Sequence, residues 1–324
     1  MNSSDLLKKE FKKLQNKLLK VLEIENGLSG ICPKYWLYAK NKKYLFKMPT
    51  NNDYSDFGEV FTSYLSYLLG YNAVKSIFHR SVFEDTEVYG SLIEDYRTKN
   101  VEETISLSCI KSIYGRRKQN GYTVNEALSL VKEFAEEKNL KIDKNLEQNL
   151  KEMALMDYLL YQRDRHANNI EFLIEKNKVN DKVIKLAPMF DNGFCLFLDC
   201  SSAGINMFNT AFKENSELDV CEKGFAPKFY IEYTEKTSEP YKAIIKDLAT
   251  EILRNKPLQN LYNKFKELDF EKEIEFMCSI YKRELPLIYK ETMIMAVKKR
   301  IKELDIELCK QCIKNVEDEV KEQF

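Results

Sequence analysis

Asp157-Tyr158-Leu159-Leu160-Tyr161-Gln162-Arg163-Asp164-Arg165-His166-Ala167-Asn168-Asn169 is the stretch on which the reading of this chain turns. It follows a long helical pattern and precedes a β-like run, so its polar cluster is expected in a tight loop between the two. Transfer of a phosphoryl group to a hydroxyl needs a carboxylate to receive the hydroxyl proton and a nearby amide oxygen to help hold Mg²⁺. Asp164 and Asn169 have those chemical types at close spacing. A solvated polar loop would use the same residue types, so on its own the loop leaves both readings open.

The next informative stretch is Leu186-Ala187-Pro188-Met189-Phe190-Asp191-Asn192-Gly193, a β-like run ending in an acidic turn. Alone, Asp191 reads as an ordinary Asx turn. Mg²⁺ takes oxygen ligands and keeps several waters, so one carboxylate plus substrate phosphates suffices to hold it. Following Asp164 and Asn169 in the chain, Asp191 becomes the expected second metal ligand.

Outward from these motifs the chain changes character. The apolar residues Leu6, Leu7, Phe11, Leu14, Leu18 and Leu22 predict an amphipathic accessory helix over 1–24. Gly27-Leu28-Ser29-Gly30 marks a turn, and the runs Tyr35 to Ala39 and Tyr44 to Met48 read as a hairpin. An N-capped helix is expected from Asp56 to a glycine stop at Gly70, with strands around Val74 to Val82 and Glu87 to Tyr96. After Asn100 the pattern turns helical, with candidates at Asn125 to Glu137, Lys144 to Tyr161, Tyr241 to Leu253 and Glu271 to the C-terminus, interrupted by a β-rich patch from Ile170 to Leu198. The sum is an α+β fold of two lobes, a small β-rich one over 25–97 and a larger helical one over 98–324.

Composition narrows the function classes. The 324 residues are 44% hydrophobic, enough for a sizeable core, and 51 basic residues balance 51 acidic ones. No global field draws such a chain to nucleic acid or an anionic membrane. No run reaches the ~18 apolar residues of a spanning helix, and Met1 to Lys20 is not a signal peptide, so the expected setting is the cytoplasm. Eight scattered cysteines suit a reducing compartment. The one C-x-x-C pair, Cys309 and Cys312, has neither a second pair nor a nearby histidine to complete a zinc site.

The pair Asp-Arg-His-x-x-Asn and Ala-Pro-x-Phe-Asp resembles the catalytic and metal-binding segments of the HipA-like kinases, especially the CtkA type of bacterial serine/threonine kinase. The same loop marks the phosphatidylinositol 3-/4-kinases. The resemblance implies a bilobed kinase-like fold that uses ATP and Mg²⁺, with Asp164 as catalytic base, Asn169 and Asp191 on the metal, and Asp157 supporting the loop. Arg165 and His166 belong to the same catalytic segment, with His166 read as orienting the loop; His79 is read as structural. Ser29-Gly30-Ile31-Cys32-Pro33-Lys34 is similar to the family's phosphate loop, which brings Gly27, Ser29, Gly30 and Lys34 to the nucleotide. Lys47 falls at the family's ATP lysine and Glu59 at the helix glutamate that orients it; Ile93 to Tyr96, with Glu94 and Tyr96, matches the adenine hinge.

From the residues alone, Lys47 at a strand end and Glu59 opposite an apolar stripe are equally consistent with solvent exposure. The chain departs from the family in having Gln162 and Arg163 where a small residue and asparagine are common, which is expected to alter access for the acceptor. It also has a short lysine-rich helix in place of the HipA N-terminal subdomain. The implied activity is phosphorylation of serine or threonine on a protein partner in a bacterial cytoplasm, with autophosphorylation, Ser29 a candidate site, and export as an effector by another route left open. Small-molecule or inositol-lipid phosphorylation, adenylyl transfer and a nucleotide-binding pseudokinase scaffold share the same residues.

Overall fold

The computed structural model describes residues 8–13, 23–25, 33–39, 42–50, 53–83, 86–115, 122–176, 181–214, 228–231 and 240–322. Gly27, Ser29 and Gly30, and most of the expected N-terminal helix, lie outside the described residues; 8–13 is helical. The chain forms two compact units, each assembled from separated segments: 1–101, 187–215 and 268–293 in the first, and 102–186, 216–267 and 294–324 in the second.

The first unit is built on a five-stranded sheet in the order β1-β2-β3-β5-β4 (Glu23–Glu25, Lys34–Ala39, Lys42–Lys47, Thr86–Glu94, Ser76–Phe83). Every pairing in it is antiparallel. The expected hairpin is β2–β3, with Lys34 opposite Lys47. Leu37, Phe46 and Leu92 fill one face. Helix α1, Ser55–Leu69, ends as expected at Gly70, whose φ of 86° is the left-handed stop that glycine takes without strain. Its start differs from the expectation: Asp56 lies inside the first turn, and Asp53 Oδ1 accepts the Ser55 N–H at 3.0 Å instead. Phe57 packs on Phe78 of β4, and Phe61 on Phe270 of α8 (Phe270–Ile280). Phe11 lies against Tyr64 and Tyr67. With neighbours on several sides, α1 is buried from Ser55 through Leu65, polar residues included.

The second unit holds a four-stranded sheet in the order β6-β9-β10-β8 (Val101–Ser106, Glu171–Lys176, Lys182–Leu186, Lys141–Ile142) and a two-stranded one, β7 with β11 (Tyr122–Thr123, Phe229–Tyr230). Its helices are α2 (Leu107–Ile113), α3 (Val124–Glu137), α4 (Leu146–Leu159), α6 (Pro240–Arg254), α7 (Lys256–Lys266) and most of α9 (Leu287–Glu322); α5 (Ser202–Lys213) belongs to the first unit. A capping box of Thr123 and Glu126 starts α3. Helix α4 is the unit's central rod, touching α3, α7, β10 and β11, and every residue from Met153 to Leu159 is buried. Among the described residues no helix is long and apolar enough to cross a membrane.

Two expectations change. Val101–Ser106 is a strand, not the beginning of the helical region. The single helix expected from Glu271 onward breaks between α8 and α9. Pro286 explains the break, since a proline disfavours helical backbone at the residue before it and is tolerated at a helix start.

Gly90 of β5 shows how closely the first sheet is built: a Cβ there would lie 2.2 Å from the Lys47 carbonyl oxygen. The strand carrying Lys47 would have to move. Gly90→Ala is expected to destabilise the protein by about 1–3 kcal/mol, as overpacking does. A urea titration reads this as a lower midpoint at unchanged slope.

Candidate functional site

In the first unit three segments meet at Lys47. The lysine ends β3 and is 8% exposed. Its Nζ lies 2.5 Å from Glu59 Oε1 on α1 and 2.5 Å from Asp191 Oδ1 on the segment that follows β10. Burial pulls the Lys47 pKa down, but the charges and hydrogen bonds of Glu59 and Asp191 outweigh it, and the pKa lies above the ordinary lysine value. The ammonium is therefore cationic throughout the physiological range. Glu59 is 2% exposed, and its Oε2 accepts the Asn192 N–H at 3.1 Å. Neither residue is solvated, which removes the exposure reading for both.

The Asp191 segment is pinned on both sides. Met189 pairs with the chain around Ala73, donating to Asn72 O and accepting from Val74 N, each at 2.9 Å. Asp191 then takes φ = 57°, in the left-handed region that Asp tolerates better than most residues. A Cβ at Gly58 would stand 2.9 Å from Gly193 O, so α1 and the 192–193 backbone approach as closely as glycine allows. Lys47, Glu59, Asp191, Asp56, Ser91 and Gly193 line a cavity of about 20 Å³.

Of the other expected nucleotide residues, Lys34 stands opposite Lys47 in the sheet. Glu94 ends β5 and pairs with Lys42, and Tyr96 stacks on Phe190 at 6.0 Å.

The second unit organises the quoted loop around a buried ion pair. Arg165 is 0% exposed and donates Nε to Asp157 Oδ2 at 3.0 Å, Nη2 to Oδ1 at 3.2 Å, and Nη1 to the Asn169 carbonyl at 3.2 Å. Burial pushes the Asp157 carboxyl up to about 6, against the charge and hydrogen bonds of Arg165, which hold it down. Asp164 N–H donates to Gln162 Oε1 at 3.0 Å, and Asn169 Nδ2 to the Asp164 carbonyl at 2.8 Å. That bond commits the Asn169 amide nitrogen and presents its Oδ1 as the ligand-type atom. His166 Nδ1 accepts the Asn168 N–H at 3.2 Å, and its Nε2 is 3.9 Å from Asp164 Oδ2, beyond hydrogen-bond length. The Asp164 carboxylate is part-exposed, and Lys228 Nζ lies 3.5 Å from its Oδ1.

The Asp191 carboxylate and Asn169 Oδ1 are hard oxygen donors of the kind Mg²⁺ takes. Among the described residues no three His, Cys, Asp or Glu side chains are grouped as a metal cage.

No protein-family model matches the chain, and neither does any curated protein sequence. Among solved structures, the crystal structure of the Helicobacter pylori proinflammatory kinase CtkA matches at a TM-score of 0.56 and 16% identity, covering 90% of this chain and 95% of that one. The chain has a kinase-like fold. At this identity the likeness speaks for the fold and does not single out the HipA type. Choline kinase LicA from Streptococcus pneumoniae matches over 93% and 98% of the two chains at 12% identity, with a TM-score of 0.25. LicA in complex with AMP matches over 87% and 100% at 13% identity, with a TM-score of 0.20. Scores that low add nothing to the assignment.

Sequence reasoning missed the anchor at the start of α1. Asp56 Oδ1 accepts from the Tyr281 hydroxyl at 2.9 Å and from Arg283 Nη1 at 3.1 Å, while Arg283 Nη2 donates to Asp53 O at 2.8 Å. Tyr281 and Arg283 fall within what the sequence pattern presents as one helix, so nothing local pointed to it. Gln162 and Asn192 were visible as motif neighbours; their contacts were not.

Burial pushes Asp56 up to about 6, against the Arg283 charge and the Tyr281 hydrogen bond. The folded protein thus binds this proton more tightly than the unfolded chain does. The contribution of Asp56 to stability is greatest below pH ~4 and falls as pH rises to ~6. The stability of the wild type minus that of Asp56→Asn is expected to fall by about 2–3 kcal/mol between pH 4 and 6.5, at 1.36 kcal/mol per unit. Denaturant midpoints across that range measure it. In the second unit, Asp157→Asn strands the Arg165 charge and is expected to destabilise by about 3–5 kcal/mol. Asp157→Leu/Arg165→Met removes both charges and should recover most of that loss in the same titration.

Proposed function

We propose that this chain is an ATP-dependent phosphotransferase and, within that class, a protein serine/threonine kinase of the HipA/CtkA type. The observation that carries the reading is the buried Lys47, held at 2.5 Å by both Glu59 and Asp191. A cation fixed by two carboxylates is oriented and permanently charged, as a group that neutralises nucleotide phosphates must be. The purely structural alternative is weaker, because apolar residues of similar volume fill a core as well as a buried ion cluster does.

In this reading residues 25–97 form the nucleotide lobe and 98–324 the catalytic lobe. Lys47 faces the α/β-phosphates and Glu59 fixes its position. The family resemblance assigns Gly27, Ser29, Gly30 and Lys34 to the phosphates, and Glu94 and Tyr96 to the adenine. Asp191 and Asn169 would hold Mg²⁺, which supplies positive charge to the phosphate oxygens when bound. Asp164 receives the proton of the acceptor serine or threonine hydroxyl. Its part-exposed carboxylate on a loop locked by Arg165, Gln162 and Asn169 supports that role. Arg165, wholly buried, acts by holding the loop, and His166 by capping the turn Ala167–Asn169.

Intact-mass spectrometry after incubation with ATP and Mg²⁺ tests the reading. The wild type is expected to gain phosphoryl increments, and Asp164→Ala to gain them about 10²–10⁴-fold more slowly. An adenylyl increment would overturn the phosphoryl assignment. If the wild type gains no increment and consumes no ATP while binding it, the chain is a scaffold. Phosphorylation of choline or an inositol lipid in preference to protein would retain the phosphotransferase and discard the protein substrate.

A further inference from the structure

Asp164 has a companion from a distant part of the chain. Lys228 Nζ lies 3.5 Å from its Oδ1, and the two side chains are 43% and 28% exposed. Lys228 is held firmly for a surface lysine. Its carbonyl accepts the Tyr122 N–H at 2.9 Å, and the next residue, Phe229, is 0% exposed and pairs with Tyr122 in the β7–β11 ladder. Lys228 directly precedes β11, and its side chain, unlike that of Phe229, is part-exposed. An ion pair this exposed contributes little to stability, so the fold does not require an ammonium here.

Arg165 and His166 of the same loop have other partners. Arg165 is wholly buried and directs its donors to Asp157 and the Asn169 carbonyl. His166 uses Nδ1 as an acceptor for a backbone N–H.

We propose that Lys228 is a phosphoryl-binding catalytic residue, its ammonium donating to a non-bridging oxygen of the phosphoryl group during transfer. The inference rests on the phosphotransfer reading. In that step the acceptor oxygen forms a bond to the γ-phosphorus, and the bond from that phosphorus to the β,γ-bridging oxygen breaks. The electron pair of the broken bond leaves with ADP, and the acceptor proton passes to the Asp164 carboxylate. Lys228 exchanges no proton. It supplies fixed positive charge where the equatorial oxygens carry the spread negative charge of the transition state. A hydroxyl within hydrogen-bond reach of Asp164 brings the attacked phosphorus within the span of a lysine already seated beside that carboxylate.

The test compares full-length wild type, Lys228→Met, Lys228→Arg and Asp164→Ala. ATP consumption and self-modification are followed against ATP concentration, with binding of Mg·ADP measured alone and with aluminium fluoride as the transition-state mimic. Lys228→Met is expected to lower kcat about 10²–10³-fold, the loss typical of one transition-state donor. KM for ATP and affinity for Mg·ADP should stay within about threefold, since the contact is made in the transition state. The aluminium fluoride complex should weaken, Lys228→Arg should restore part of kcat, and the melting temperature should not move. A Lys228→Met protein that turns over like the wild type, or that loses only Mg·ADP affinity, overturns the role while leaving the phosphotransfer reading intact. A wild type that neither binds Mg·ADP nor consumes ATP overturns both.

Discussion

Burying the ammonium of Lys47 sets terms that three separate parts of the first unit have to meet. A lysine removed from water loses its hydration and, without counter-charge, would lose its proton. Here one carboxylate comes from α1 and a second from the Asp191 segment, each at 2.5 Å. Each partner requires support of its own. Glu59 reaches the lysine only because α1 is sunk into the unit, with Gly58 against Gly193. Asp191 reaches it only with its backbone at φ = 57°, a conformation sustained by the Met189 bridge to Ala73 and the Asn192 bond to Glu59.

The charge balance of that cluster is informative. One cation stands against two carboxylates. The Asp157–Arg165 pair in the second unit is different: one charge of each sign, wholly buried, with Arg165 also donating to the Asn169 carbonyl of the loop. A balanced buried pair needs nothing further and suits a structural task. Asp191 differs again, since its carboxylate shares Lys47 with Glu59 and remains part-exposed.

Much of this was legible in the sequence because the residues concerned break local pattern. An acid, a base and amides crowded between a helix and a strand have no reason to be there for packing, and Asp164, Arg165 and Asn169 stood out on that account. Lys47 and Glu59 were harder: alternation along a strand and the wheel of a helix say which side a residue takes, not what waits there. Only the sheet register and the depth of α1 distinguish a buried pair from two solvated charges. Lys228 gave no local signal at all. It is one lysine among many, and its place beside Asp164 is created by the pairing of two-residue strands, β7 and β11, too short to register in any periodicity.

The anchor on α1 extends the same physics to a part of the chain that looked featureless. Asp56 and Glu59 sit one turn apart on the helix, so whatever fixes the first fixes the second. Asp56 is held by Tyr281 and Arg283, and Arg283 also lies over the Tyr54 ring at 4.9 Å and donates to Asp53 O. The residues just after α8 therefore clamp the start of α1, within the same unit, while Glu59 in its next turn holds Lys47. Pro286, which breaks what the sequence pattern presents as one long helix, follows closely after them. Had that helix run on unbroken, Tyr281 and Arg283 would lie on its surface as two ordinary helical residues; the break frees the backbone to bring both side chains onto one carboxylate.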